Sequence, residues 1–160
     1  MRAVIQRVST ASVGVAGKKV AAIGPGLLVL VGVAAADTPT EAEWLARKLV
    51  ATRLWPDPGT GRPWSVSLGD DPAKACLLVS QFTLHGSVRR GTRPDFGKAM
   101  PGPAAQALFD GLVRRVREGL EAEQQPAVED GQGRVQTGVF GAMMEVRRKR
   151  GTEEGWEREG

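Results

Sequence analysis

The chain carries few residues capable of covalent or metal chemistry. Its 160 residues include one histidine, His85, and one cysteine, Cys76. A zinc site would need several carboxylate ligands beside them, and no acidic cluster with ligand spacing accompanies either. Gly24-Pro25-Gly26 lacks the GK[ST] and GxGxxG spacings of phosphate-binding loops and reads as a turn. Cys76 lies within the apolar run Ala75–Val79, where a thiol serves as a small core residue. A single cysteine also excludes an intramolecular disulfide and points to a reducing compartment. A Ser-His-Asp triad would have to use His85. Thr83 and His85, two apart on an extended segment, face one side, which leaves a Thr–His pair open. No third group orients that ring, as triad logic requires.

What chemistry remains gathers around Ser80-Gln81-Phe82-Thr83-Leu84. The short apolar run before it, preceded by Gly69-Asp70-Asp71-Pro72, predicts a buried strand. A strand that switches to Ser, Gln and Thr has left the core and presents polar groups at an edge or cleft. The following Gly/Pro-broken loop holds Arg89, Arg90 and Arg93, with Lys98 just beyond. A polar strand end beside a basic loop suits an anionic substrate.

The elements that must position this stretch follow from pattern. Ala3–Val8 predicts a strand, and Ser12–Val15 and Lys19–Ile23 a hairpin around Ala16-Gly17-Lys18. Leu27–Val33 is apolar enough for the centre of a sheet. Thr38-Pro39-Thr40-Glu41 is a capping box with proline at the first helical position, predicting a helix to about Thr52. Arg53–Trp55 and Trp64–Leu68 read as strands around a turn-rich segment. Leu108, Leu112, Val116 and Leu120 form one stripe of a second helix, about Pro103 to Glu121. Ala127–Val128 and Val135–Val146 supply the last strands, with Phe140, Ala142, Met144 and Val146 on one face. The sum is a single α+β domain, mostly antiparallel, with two helices. From Arg147 the chain has one large apolar residue in fourteen, too little to offset its ordering entropy, so 147–160 is expected to be a loose charged tail.

Hydrophobic residues make up 41% and charged residues 25%, as in an ordinary globular domain. The net charge of +4 permits a polyanionic partner. No apolar run is long enough to span a bilayer, and the N-terminus alternates without a signal-peptide core, so a cytoplasmic protein is expected.

Ser80–Leu84, the loop to Phe96 and the opening Met1-Arg2-Ala3-Val4-Ile5-Gln6-Arg7-Val8 together resemble the D-aminoacyl-tRNA deacylases. These editing enzymes hydrolyse the ester between a D-amino acid, or glycine, and tRNA. The resemblance covers about Met1–Val146 and implies a barrel-like sheet with two helices, a homodimer, and no cofactor or metal. It places the backbone around Phe82 and Thr83 at the scissile ester, with Ser80 and Gln81 in the same motif. It puts Arg7 near the cleft and matches Phe140-Gly141-Ala142 to a family segment beside the substrate. Arg89, Arg90, Arg93 and Lys98 become candidates for phosphates of the tRNA acceptor end. An aminoacyl ester is already activated and its 2′-hydroxyl can assist, so backbone N–H donors for the oxyanion suffice.

The resemblance fails at the C-terminus. Family members continue the final strand into Asn-x-Gly-Pro-Val-Thr, whose cis proline rejects L-amino acids and reaches into the partner subunit's site. Here the aligned stretch is Arg150-Gly151-Thr152-Glu153-Glu154, and no proline follows Pro126. A catalytically silent tRNA-binding relative, or a chain without chiral discrimination, therefore stands as the alternative.

Overall fold

The computed structural model describes residues 1–89, 91–121 and 133–150. In chain order the elements are β1 (Arg2–Val15), β2 (Lys18–Ile23), β3 (Gly26–Gly32), α1 (Pro39–Ala51), β4 (Arg53–Trp55), β5 (Val66–Ser67), β6 (Ala75–Ser80), α2 (Gly102–Glu121), β7 (Val135–Thr137) and β8 (Met144–Arg150). A 3-10 turn, Phe82–His85, lies between β6 and α2.

The long strand β1 organises the sheet. Its first half pairs antiparallel with β3 and its second half with β2, end to end along one edge. Because Val8 and Ala11 pair with β8 as well, β8 lies antiparallel along the opposite edge of β1. β3 then pairs parallel with β6, and β6 parallel with β7. Parallel neighbours require crossovers, and α1 and α2 supply them. The sheet curls into a nearly closed barrel with both helices packed on one face.

Alternation along β3 separates two cores. Leu27, Val29 and Val31 meet the helices, where α2 contributes Phe109, Leu112, Val116 and Leu120. Leu28 faces the other way, against Val8, Ala11 and Val13 of β1 and Leu77 and Val79 of β6. Both faces of β3 and β6 are therefore buried, which is why these strands are continuously apolar. The capping box forms as expected, with the Glu41 Oε2 accepting from the Thr38 N–H at 2.7 Å.

Several expectations need correction. Ser12–Val15 is the second half of one strand from Arg2, curved by a bulge between Val8 and Thr10 where β8 pairs. Trp64–Leu68 shortens to Val66–Ser67. Phe109, not Leu108, takes the core position at the start of the α2 stripe. The last strand is not continuous: Phe140-Gly141-Ala142 forms a turn, with Gly141 at φ +74, so Phe140 and Ala142 do not share a strand face with Met144. Nor does order end at Val146. Residues Arg147–Arg150 continue β8, held by backbone pairing to β1 that needs no side-chain burial. Composition, which speaks only of side chains, could not reveal that pairing. Ala127–Val128, Arg90 and residues 151–160 lie outside the described residues.

Candidate active site

β6 ends at Ser80, and the Gln81 N–H donates to the Val31 carbonyl at 2.8 Å, the last tie of the chain to β3. The chain then coils into the 3-10 turn instead of extending to Leu84, which corrects the strand expected there. The turn is closed by Leu84 N–H to the Gln81 carbonyl (3.3 Å) and Gly86 N–H to the Thr83 carbonyl (2.9 Å). Among the described residues, neither the Phe82 nor the Thr83 N–H has a hydrogen-bond acceptor. They are the first amides of a helical turn, which has no internal carbonyl to offer them. The Thr83 side chain is exposed, and so is Phe82, at 57%. Two adjacent, unclaimed N–H donors at an exposed strand end are chemically suited to an oxyanion.

Coiling also disposes of the Thr–His pair. In a 3-10 turn, residues two apart point to different sides. Thr83 is exposed, whereas His85 is buried with its Nε2 unpartnered among the described residues. His85 cannot serve Thr83 as a base. Cys76 is fully buried in the helix-side core, and desolvation pushes its thiol up to about 12, so it is not a nucleophile at neutral pH.

Three residues that sequence reasoning did not single out hold the turn in place. Gly32, at the end of β3, lies beneath it: a Cβ there would stand 3.0 Å from the Gln81 carbonyl oxygen, the Leu84 Cβ and the His85 ring. Phe96 packs edge-on to Phe82 with ring centroids 5.2 Å apart, and its ring also lies against Gly86. The Arg2 Nη1 donates to the Leu84 carbonyl at 2.8 Å. Phe96 and Arg2 fall in segments that sequence reading had noted, but their partners are set by tertiary packing. Gly32 gave no signal, since a glycine before a turn is ordinary.

The basic loop is anchored beside this turn. Ser87 and Asp95 exchange two backbone hydrogen bonds of 2.8 Å and pinch its base. Arg89 and Arg93 are exposed on the excursion. Lys98 is exposed, and its carbonyl accepts from the Ala35 N–H at 3.0 Å, which ties it just past the end of β3. β7 runs parallel to β6, so the turn Phe140–Ala142 leaves the sheet at the same end as Ser80. Phe140 itself packs on Phe109 of α2 at 5.9 Å. Arg7 is not brought to Phe82. Through Leu27 it aligns with Cys76, four residues before Ser80, or about 13 Å back along the sheet. There its Nη1 donates to the Leu54 carbonyl at 2.7 Å and its guanidinium lies 5.9 Å from the Trp64 ring centroid.

Known proteins give this arrangement a family. The model of the D-Tyr-tRNA(Tyr) deacylase family matches residues 4–151. A D-aminoacyl-tRNA deacylase of Thermobifida fusca is 48% identical over 147 residues, covering 91% of this chain and 90% of that protein. One from Yarrowia lipolytica is 42% identical, covering 91% and 88%. A solved structure described as a c-Myc DNA unwinding element binding protein superposes with a TM-score of 0.80 at 37% identity, covering 93% of this chain and 91% of its own. A probable eukaryotic D-amino acid tRNA deacylase shares the fold, with a TM-score of 0.76 at 21% identity over 92% of each chain. With nearly its whole described length matched, the chain belongs to the D-aminoacyl-tRNA deacylase family.

Proposed function

We propose that this protein hydrolyses the ester of D-aminoacyl-tRNA, and of glycyl-tRNA mischarged on tRNA(Ala), releasing the free amino acid and tRNA as a proofreading step in translation. The observation that carries the reading is the pair of unclaimed amides at Phe82 and Thr83, in a chain whose relatives bear the deacylase name. Water adds to the ester carbonyl carbon, and the Phe82 and Thr83 N–H groups receive the charge that develops on its oxygen. Collapse of the tetrahedral intermediate breaks the bond to the ribose 3′-oxygen, which takes up a proton. The neighbouring 2′-hydroxyl carries that proton traffic, so no side-chain base is required. Thr83 acts as scaffold and amide donor, and Ser80 and Gln81 hold the strand end. The Phe140-Gly141-Ala142 turn borders the amino acid.

Arg89, Arg90, Arg93 and Lys98 meet phosphates of the acceptor end, in contacts that are sequence-independent and salt-sensitive. The working form is a homodimer in the cytoplasm, and Arg7, remote from Phe82 within one chain, acts at the cleft built between two copies. No helix among the described residues is long and apolar enough to cross a membrane.

Incubation with D-Tyr-, L-Tyr- and Gly-charged tRNA, following ester loss, tests this function. Loss of the D-Tyr and Gly esters with L-Tyr spared is expected. Loss of all three keeps the hydrolase but removes the chiral filter. Retention of tRNA without hydrolysis overturns the reading in favour of a silent binder.

A further inference from the structure

His85, the one histidine of the chain, closes the 3-10 turn that begins at Phe82. It is only 6% exposed, and its Nε2 has no hydrogen-bond partner among the described residues. A buried polar atom left in this state is uncommon and costs free energy. The seat of the ring is also tight. Its Cδ2, the carbon next to Nε2, would lie 3.0 Å from a Cβ built on Gly32, so the ring rests on the backbone at the end of β3. The turn couples that ring to the two unclaimed amides. Gly86, the next residue, donates its N–H to the Thr83 carbonyl at 2.9 Å. A Cβ on Gly86 would stand 3.0 Å from that same oxygen and 2.9 Å from the Phe96 ring. A 3-10 turn rises about 2.0 Å per residue, so Phe82 lies only about 6 Å along its axis from His85. A ring that leaves its seat therefore moves Thr83, and with it the pair of N–H groups.

The groups around the ring offer a proton no partner. β3 carries no titratable side chain, and β6 none but the buried Cys76 thiol. From β1, the Arg2 Nη1 donates to the Leu84 carbonyl at 2.8 Å, which sets a cation beside the turn. The carboxylates of the adjoining segments are engaged elsewhere. Asp37 accepts from the Met1 ammonium at 2.5 Å and from the Ala34 N–H at 2.6 Å, and Asp95 accepts from the Gly97 N–H at 2.9 Å. The other charged groups of the loop, Arg89, Arg93 and Lys98, are exposed cations. A proton on Nε2 of the seated ring would be a buried charge without an acceptor, on the same turn that Arg2 already touches. Folded chains pay heavily for such a charge.

We infer, resting on the deacylase reading for the reaction, that His85 is a positioning residue for the Phe82 and Thr83 amides and that only its neutral ring occupies the seat on Gly32. Acid then displaces the ring, shifts the turn and lowers turnover. The sign follows from the proton count. A displaced, hydrated ring takes up a proton for which the seated ring has no acceptor, so falling pH favours displacement and rising pH refills the seat. Histidine is the side chain that ordinarily changes charge between about pH 5 and 8.

The test compares the full-length protein with H85F and H85L, which fill the seat with side chains that take up no proton. Single-turnover rates on D-Tyr-tRNA are measured from about pH 8 to about pH 5, with tRNA affinity alongside. The lability of the ester itself varies with pH, so the readout is the ratio of variant to parent rate. That ratio should rise as pH falls, by up to about tenfold per pH unit, while affinity changes alike in the three proteins. A ratio that stays constant across the range in both variants overturns the inference. A second measurement, on the parent protein alone, needs no substrate. In an NMR titration the Cε1–H signal of a lone histidine is unambiguous, and it should change over the same pH span as the Phe82 and Thr83 amide signals. A ring that takes up its proton while those amides stay still also overturns the inference. If the parent protein hydrolyses no ester at any pH, the deacylase reading fails alone, because the titration still decides the seat.

Discussion

Replacing Gly32 by alanine is the sharpest perturbation of the Phe82–His85 turn that leaves every polar group in place. The added methyl would lie 3.0 Å from three atoms at once, two of them in the turn's own backbone and Leu84 stem and the third in the buried His85 ring. None is the free end of a flexible side chain, so the turn must rise by a few tenths of an ångström. Overpacking of this kind costs about 1–3 kcal/mol. In a chain of this length, each kcal/mol lowers Tm by about 2–4 °C. The displaced segment carries the two amides, and losing one oxyanion donor costs about 2.7–4 kcal/mol of barrier, or 10²–10³ in rate. A partial displacement should thus lower kcat by at least about tenfold. The assay is single-turnover hydrolysis of D-Tyr-tRNA, at a temperature where circular dichroism shows both proteins folded. A G32A protein with reduced Tm and undiminished kcat would refute the argument that the turn's height above β3 sets the rate.

Other expectations follow from the same contacts. F96A removes the edge-on support of Phe82 and should lower kcat more than it raises KM, which steady-state kinetics on D-Tyr-tRNA resolves; a pure KM effect would instead assign Phe96 to binding. Asp70 accepts hydrogen bonds from the Ser67 N–H (2.8 Å) and Oγ (2.7 Å), which hold its carboxyl below the usual carboxylate range. The unfolded chain therefore binds that proton first as pH falls, so the stabilisation is complete above the unfolded carboxylate range and is lost as pH drops through the folded value. D70N should accordingly lower Tm at pH 7, with the gap closing in acid; a gap independent of pH would contradict this. The buried Cys76 thiol, pushed up to about 12, should react with a thiol reagent at pH 8 only as fast as the protein opens. Rapid labelling of the native protein would show that β6 is not packed as described.

The sequence made the apolar strands and both helices legible, because β3 and β6 are buried on two faces and α1 announces itself by a capping box. It placed Ser80–Leu84 where the chain leaves the sheet as well, though as a strand. The coil at Phe82 was not legible, since Phe-Thr-Leu is as good a strand as Cys-Leu-Leu, and only the floor at Gly32 and the ring of Phe96 decide between them. The hydrogen-bonding state of the two amides depends wholly on that coil. The continuation of β8 over Arg147–Arg150 was missed for a different reason. Those four side chains are exposed, and the segment is ordered because β1 presents an edge for its backbone to pair with. Arg7 was assigned to the cleft through a resemblance, and a single chain leaves it beside Leu54 and Trp64.

The most direct measurement is the single-turnover rate of T83A on D-Tyr-tRNA, with tRNA affinity determined alongside. If the main-chain amides act on an ester that is already labile, kcat stays within about tenfold of the parent protein and affinity is unchanged. A loss of 10⁴ or more at unchanged affinity would make the hydroxyl a nucleophile and contradict the account.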